Sequence, residues 1–301
     1  MVRSEKKGFK STSSWLNKLV EQMRPILRDP LGAAGLVILL IFIILAIFAS
    51  SVAPYRPFDY IRDSHGALLR LSPPSRLSIF GTNNQGQDIF SQVIYGARIA
   101  LIIGALSAIL AVFIGTNVGL IAGYHGRWID EILMRITDVA FGIPFLPFAL
   151  ILVALLGPSN WNVVLVISLL LWRVTARVIR SQVLTLKQRP FIMAAKAAGA
   201  SDLRLMYVHI LPNILPFTFL YLAFGVAWGV MTEASLSFLG FGDPNTISWG
   251  RMLYTAFAAG AMREAWWWVI PPGAAISLLV VSSFLITRAY EEVLNPRLGK
   301  W

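Results

Sequence analysis

Apolar positions in this chain come in long unbroken runs, not at the three-to-four-residue spacing of a half-buried helix. Residues 31–53 and 99–123 contain no Asp, Glu, Lys or Arg. Similar runs cover 134–156, 163–172 with a more polar continuation, 205–234 and 266–286. A bilayer core takes about 20 apolar residues per helix. The pattern therefore predicts six membrane-spanning helices and an all-α fold.

One stretch between the fourth and fifth runs breaks the pattern: FIMAAKAAGASDLRLMYVHILPN, residues 191–213. Pro190 pushes Arg189 out of the helical region, which stops the fourth helix, and suits the first position of a new one. Met193-Ala194-Ala195-Lys196-Ala197-Ala198 is helix-forming, and Gly199 is a left-handed stop. Ser201 or Asp202 can cap the next helix, and Leu211-Pro212 closes the stretch. The expectation is a short helix near 190–202 lying across the bundle, with side chains small enough for another surface to approach its backbone.

Composition supports the membrane reading. Of 301 residues, 56% are hydrophobic and 14% charged, and the mean hydropathy is +0.68. A soluble domain of this size cannot hide that much apolar side chain. The net charge of +11 lies in segments between spans, so it argues against nucleic acid and for membrane orientation. Without cysteine there is no disulfide, thiolate metal site or cysteine nucleophile. The charged lead of 1–30 followed by a long apolar run fits a retained first span rather than a cleaved signal.

Lys and Arg placement predicts the orientation. Arg3, Lys6, Lys7, Lys10, Lys18, Arg24 and Arg28 precede the first run, and Arg173, Arg177, Arg180, Lys187, Arg189, Lys196 and Arg204 lie between the fourth and fifth, whereas 157–162 has none. By the positive-inside rule both termini and the 191–213 stretch face the cytoplasm, with Arg288, Arg297 and Lys300 in agreement. Trp266-Trp267-Trp268 then falls at the outer interface, where aromatic belts occur. The expected segmentation is a cytoplasmic segment 1–30, a first span with outer loop 31–95, a five-helix core 96–290 and a cytoplasmic tail 291–301.

Ionisable residues within the runs need partners or water. Arg135 is a local candidate partner for Asp138, while Glu233, beside the glycine-rich 240–242 turn, is a candidate for facing a transport path or gate together with Ser237, Phe241 and Asp138. Arg173, Arg177 and Arg180 share a helix face and read as headgroup anchors. Pro144 and Pro147 should kink the third span. Ile89, Phe90, Val93 and Ile94 suggest an amphipathic segment on the outer surface, behind turns at Gly81 and Gly86.

Enzyme chemistry finds no support. There is no Gly-x-x-x-x-Gly-Lys loop for ATP and no Gly-x-Ser-x-Gly. His65, His125 and His209 are scattered singly, and no metal site is expected. Nor does the chain show an internal repeat of the kind common in secondary transporters.

Four segments in order carry a family resemblance. Ala194-Ala195, Gly199 and Leu211-Pro212 resemble the "EAA" loop of ABC importer permeases, with Met193 where glutamate is usual. Gly81-Thr82-Asn83-Asn84-Gln85-Gly86-Gln87-Asp88, then Ser91 and Tyr95-Gly96-Ala97-Arg98, is similar to the "GTDxxGRDxxSRxxYGAR" signature of the dipeptide/oligopeptide/nickel branch. The stretch 234–242 with Trp249-Gly250 resembles "LSFLGxG…WG", and Asn295-Pro296-Arg297-Leu298 resembles "DPRLR". The resemblance implies the C-type permease subunit of a bacterial or archaeal inner-membrane importer. It would pair with a homologous second permease, with two ATPase subunits that hold the ATP and Mg, and with an extracytoplasmic solute-binding protein. This chain would bind no cofactor itself. The short helix would dock on the ATPase through Ala194, Ala195, Lys196, Gly199, Ala200, Asp202, Leu211 and Pro212. The implied cargo is a di- or oligopeptide, an oligosaccharide or nickel; Gln87 and Gln92, where the branch has arginine, leave these open.

Overall fold

The computed structural model describes residues 26–294, with side chains through residue 291. The charged N-terminal segment and the Asn295-Pro296-Arg297-Leu298 ending lie outside these residues. α1 (Pro30–Ile47) starts at Asp29, whose carboxylate accepts from Gly32 N at 2.8 Å, and runs into a short turn of helix, α2 (Ala49–Val52). A long loop of single β-bridges comes next, then α3 (Ile89–His125), α4 (Arg127–Gly142), α5 (Phe145–Leu156) and α6 (Asn160–Leu186). α7 (Pro190–Ala197) is the short helix expected from the sequence. α8 opens with a single turn (Asp202–Arg204) and a π-helical turn (Leu205–Ile210), then continues as Leu211–Phe238. α9 (Trp249–Ala258) and α10 (Trp266–Leu294) complete the bundle.

Five helices are long and apolar enough to cross a membrane, and six spans result if α4 and α5 are one broken span. That break is sharper than a kink. Pro144 forces Ile143 into an extended conformation (φ −84°, ψ 126°), and α4 and α5 meet at 91°. Pro147 sits harmlessly in the first turn of α5.

The second span begins earlier than its apolar run. Asp88 caps α3, accepting from Ser91 N at 2.8 Å and Ser91 Oγ at 2.6 Å, so 89–94 is the first turn and a half of the span and no separate surface helix. Ile89 and Ile94 are buried. Gly81 and Gly86 do take the left-handed conformation (φ 75° and 81°).

The tryptophan triplet also departs from expectation. Trp266 is exposed, but Trp268 is fully buried and Trp267 Nε1 donates to Thr82 O at 3.2 Å. Trp267 thus pins the long loop to the bundle, and Trp268 lies in the core cluster instead of an interfacial belt. Trp249 acts similarly: its Nε1 donates to Val93 O at 2.8 Å, and its ring lies edge-on to Phe42 at 5.5 Å.

α3 and α6 pack closely along much of their length. Gly115, Gly119 and Gly123 recur every fourth residue and let the backbones meet; a Cβ on Gly119 would sit 2.5 Å from Ala176 O. Such small-residue stripes are how membrane helices gain dispersion without a hydrophobic driving force.

Candidate functional site

α7 is held between two chemical stops. Arg189 is extended (φ −71°, ψ 144°), as a residue before proline must be. At the other end Gly199 takes φ 87°. Gly199 N donates to Lys196 O at 3.0 Å and Ala200 N to Ala195 O at 3.1 Å, the paired bonds of a Schellman ending.

One face of α7 belongs to the bundle. Ile192 is buried in a cluster with Leu205, Met206 and Ile210, and Ala195, Ala200 and Leu211 pack on it. The opposite face is bare: Phe191 is 47% and Met193 56% exposed, and Ala194, Lys196 and Gly199 are at least partly exposed beside them. Of the expected docking residues, Ala195, Ala200 and Leu211 thus face the bundle. Asp202 and Pro212 are exposed. Tyr124 Oη donates to Asp202 Oδ1 at 2.5 Å, and Lys187 Nζ donates to Gly123 O at 2.8 Å, so the end of α3 grips α7 from both sides. A cleft of about 470 Å³ opens between them, lined by Tyr124, Lys187, Met193, Lys196 and Asp202.

Leu211-Pro212 does not close the stretch. Proline inside a helix removes a donor and clashes with the carbonyl four residues back. The π-helical turn at Leu205–Ile210 widens the coil just ahead of it, with Leu211 N donating to Met206 O, so the helix runs on through Pro212.

The basic residues of α6 correct two expectations. Arg135 pairs with Glu131 at 2.9 Å, not with Asp138. Asp138 takes Arg177 at 2.6 Å, and Asp130 takes Arg180 in a two-pronged pair at 2.5 and 2.6 Å. Arg173 donates to Ala140 O. These arginines tie α6 to α4 instead of anchoring in headgroups. Their partners lie 33 to 50 residues away in sequence, which no local pattern signals.

Of the residues expected at a path or gate, Glu233, Ser237 and Phe241 sit in packed protein, whereas Asp138 is exposed. Glu233 is buried and accepts from Ser237 Oγ at 2.6 Å. Ser237 is itself buried under Gly242 and Gly250. Phe241 packs on the cluster shared by α5 and α6. The 243–248 turn is locked by Arg251, which donates to Asp243 O, Pro244 O and Thr246 O; burial pushes the Arg251 pKa below its usual value, while Asp243 pulls it back up.

In the long loop, Asn83 Nδ2 donates to Gln87 Oε1 at 2.8 Å and Gln92 Nε2 to the same oxygen at 2.9 Å. Asn83 and Gln87 replace Asp and Arg of the branch signature together. A neutral amide pair stands where that signature has opposite charges, and it is buried.

Among the described residues no group of three His, Cys, Asp or Glu could hold a metal.

A bundle of helices long and apolar enough to span a membrane, with a short helix clamped across one end and bare on its far side, defines a polytopic membrane protein. Residues 115–300 match the model of the binding-protein-dependent transport system inner membrane component, and residues 19–74 that of the N-terminal TM domain of oligopeptide transport permease C. The chain belongs to the binding-protein-dependent transport system inner membrane component family. A dipeptide transport system permease protein of Alkalihalophilus pseudofirmus is 36% identical over 284 residues, covering 92% of this chain and 90% of that protein. A glutathione transport system permease protein of Pectobacterium atrosepticum is 35% identical over 282 residues, covering 92% and 91%. The solved inward-facing MetNI methionine ABC transporter shares the fold, with a TM-score of 0.51 at 19% identity over 68% of this chain and 95% of that one. The chain is a multi-pass inner-membrane permease subunit of an ABC importer.

Proposed function

We propose that this subunit forms half of the transport path for a di- or oligopeptide, beside a homologous second permease, and takes its movement from two ATPase subunits that bind ATP and Mg. The observation that carries the coupling role is α7: anchored inward through Ile192, bare outward at Phe191 and Met193. An exposed apolar face framed by Lys196 and Asp202 suits a protein groove better than water. ATP binding would close the ATPases and shift α7 as a rigid body. With α7 on the cytoplasmic side, the loop end faces the solute-binding protein.

The cargo reading is supported by the names of the relatives, a dipeptide and a glutathione permease. The buried Asn83–Gln87–Gln92 network supports it from another side. These substitutions alter the interior of a loop and leave the path untouched, so they do not count against a peptide. The test is ATP-driven uptake of a labelled dipeptide into proteoliposomes holding the full importer and its binding protein. Competition by unlabelled dipeptide but not by maltose supports the reading; no uptake, or displacement by the sugar, overturns it.

A further inference from the structure

Arg173 sits halfway along α6 (Asn160–Leu186), a depth where a charge is costly and marks function by default. It is only 9% exposed. The three arginines on this face form a ladder against α4, and only the deepest rung lacks an acid. Arg180 has Asp130 and Arg177 has Asp138, whereas Arg173 pairs with no carboxylate among the described residues. Its Nη1 donates to Ala140 O, near the end of the α4 half-helix, and its guanidinium carbon lies 4.9 Å from the centre of the Phe141 ring and 5.8 Å from that of Phe145. One prong of the fork is therefore fixed, and the other nitrogens have no protein acceptor among the described residues. Beside it opens a cavity of about 240 Å³ bordered by Arg173, Phe145, Tyr221, Phe224 and Trp228. Its wall is mostly aromatic and apolar; Arg173 is its one charged residue, beside the hydroxyl-bearing Thr175 and Tyr221.

We propose that Arg173 and this cavity form a subsite inside the membrane for the carboxylate of the passing cargo. The inference rests on the peptide reading above. A guanidinium fork matches a carboxylate in plane and in charge. Phe141 and Phe145, together with the Ala140 carbonyl, hold the fork in place before the ligand arrives. The aromatic wall gives a peptide side chain an apolar surface, and with one charged group on that wall the hold is light enough for release. The break between α4 and α5 is what brings the Ala140 carbonyl and Phe145 to the same arginine.

This chain has no cysteine, so Val174→Cys, on the cavity wall, gives a single reporter in an importer whose other subunits have been freed of cysteine. Reaction rates with anionic sulfonate and cationic ammonium methanethiosulfonates are compared. The anionic reagent should react at least tenfold faster, and Arg173→Gln should erase the preference while Arg173→Lys keeps most of it. Alanyl-alanine should slow labelling, and its C-terminal amide should not. Dipeptide uptake should fall at least tenfold in Arg173→Gln. No charge preference, equal protection by the amide, or normal uptake by Arg173→Gln would each overturn the subsite. Absence of dipeptide uptake by the unsubstituted complex would overturn the cargo reading instead, and the reagent ratio would still decide whether the cavity attracts anions.

Discussion

Gly119 offers the most direct test of how the bundle is held. An added Cβ would lie 2.5 Å from Ala176 O, 2.9 Å from Arg180 N and 2.9 Å from Ile179 Cβ, where ordinary contact begins at 3.4 Å. Two of these are backbone atoms that cannot rotate away, so α3 and α6 must part by about 0.9 Å in Gly119→Ala. A radial gap of roughly 0.5–1 Å forfeits about a quarter to a half of the dispersion at the contact. Overpacking of this kind typically costs about 1–3 kcal/mol. At roughly 2–4 °C per kcal/mol for a chain somewhat smaller than this one, the melting midpoint should drop by about 2–12 °C. The same strain acts on the turn of α6 that carries Arg180 and its bond to Asp130, so coupled transport should fall as well.

Gly273→Ala is the matched control. That glycine lies inside α10 with no atom within 4 Å of an added Cβ, and alanine gains about 1 kcal/mol over glycine in a helix interior. Both variants would be followed by fluorescence-detected thermal melting of the purified importer. A Gly119→Ala complex that melts within a degree of the unsubstituted one would show that the helices do not approach this closely in the working protein.

Ala194→Arg should abolish co-purification of the ATPase subunits with little change in melting, because Ala194 points outward. Ala195→Arg should lower the melting midpoint as well, because Ala195 packs on the Ile192 cluster. Breaking one side of the Arg180–Asp130 pair, in Arg180→Met or Asp130→Leu, should cost about 1–3 kcal/mol, and the double variant should recover part of that loss; equal melting of all three would show that the pair adds nothing to stability. Reporter fusions after Ser159 should read outside and after Lys187 inside, and the reverse at either site would overturn the orientation.

What the sequence disclosed was local chemistry. Arg189-Pro190, Gly199 and Pro144 each act on their own backbone, and the structure breaks the chain at each of them. Long-range pairing was not legible. Asp138 meets Arg177 and Asp130 meets Arg180 because α4 lies against α6, whereas the nearest basic residue in sequence, Arg135, bonds to Glu131 instead. Trp268 and Trp267 read as interfacial until the long loop folds over them. The burial of Glu233 was likewise not legible, because Gly242 and Gly250, which close over its partner Ser237, lie beyond the end of its helix. The Gly115, Gly119 and Gly123 stripe was not singled out in the sequence, because only the packing of α3 on α6 shows what its spacing is for.

In the proposed coupling, the position of Pro212 lets α7 and the fifth span move as one piece. A proline that ended the helix would have left α7 joined to the fifth span by a loop, and a push on α7 would be lost in that loop. The π-helical turn lets the helix continue instead, so Leu205, Met206 and Ile210 meet Ile192 from the span itself. Lys187 and Asp202, on either side of α7, both bond to the end of α3. A force on Phe191 or Met193 therefore reaches α3 and α8 together, and the glycine stripe passes it from α3 to α6. Arg180 and Arg177 carry it on to α4. The chain of stiff contacts ends at Ile143-Pro144, where the backbone turns through 91° and Arg173 borders the cavity. Movement delivered at α7 thus arrives beside a buried cation that no acid among the described residues neutralises, which is where a permease would need to open and close its hold on an anionic solute.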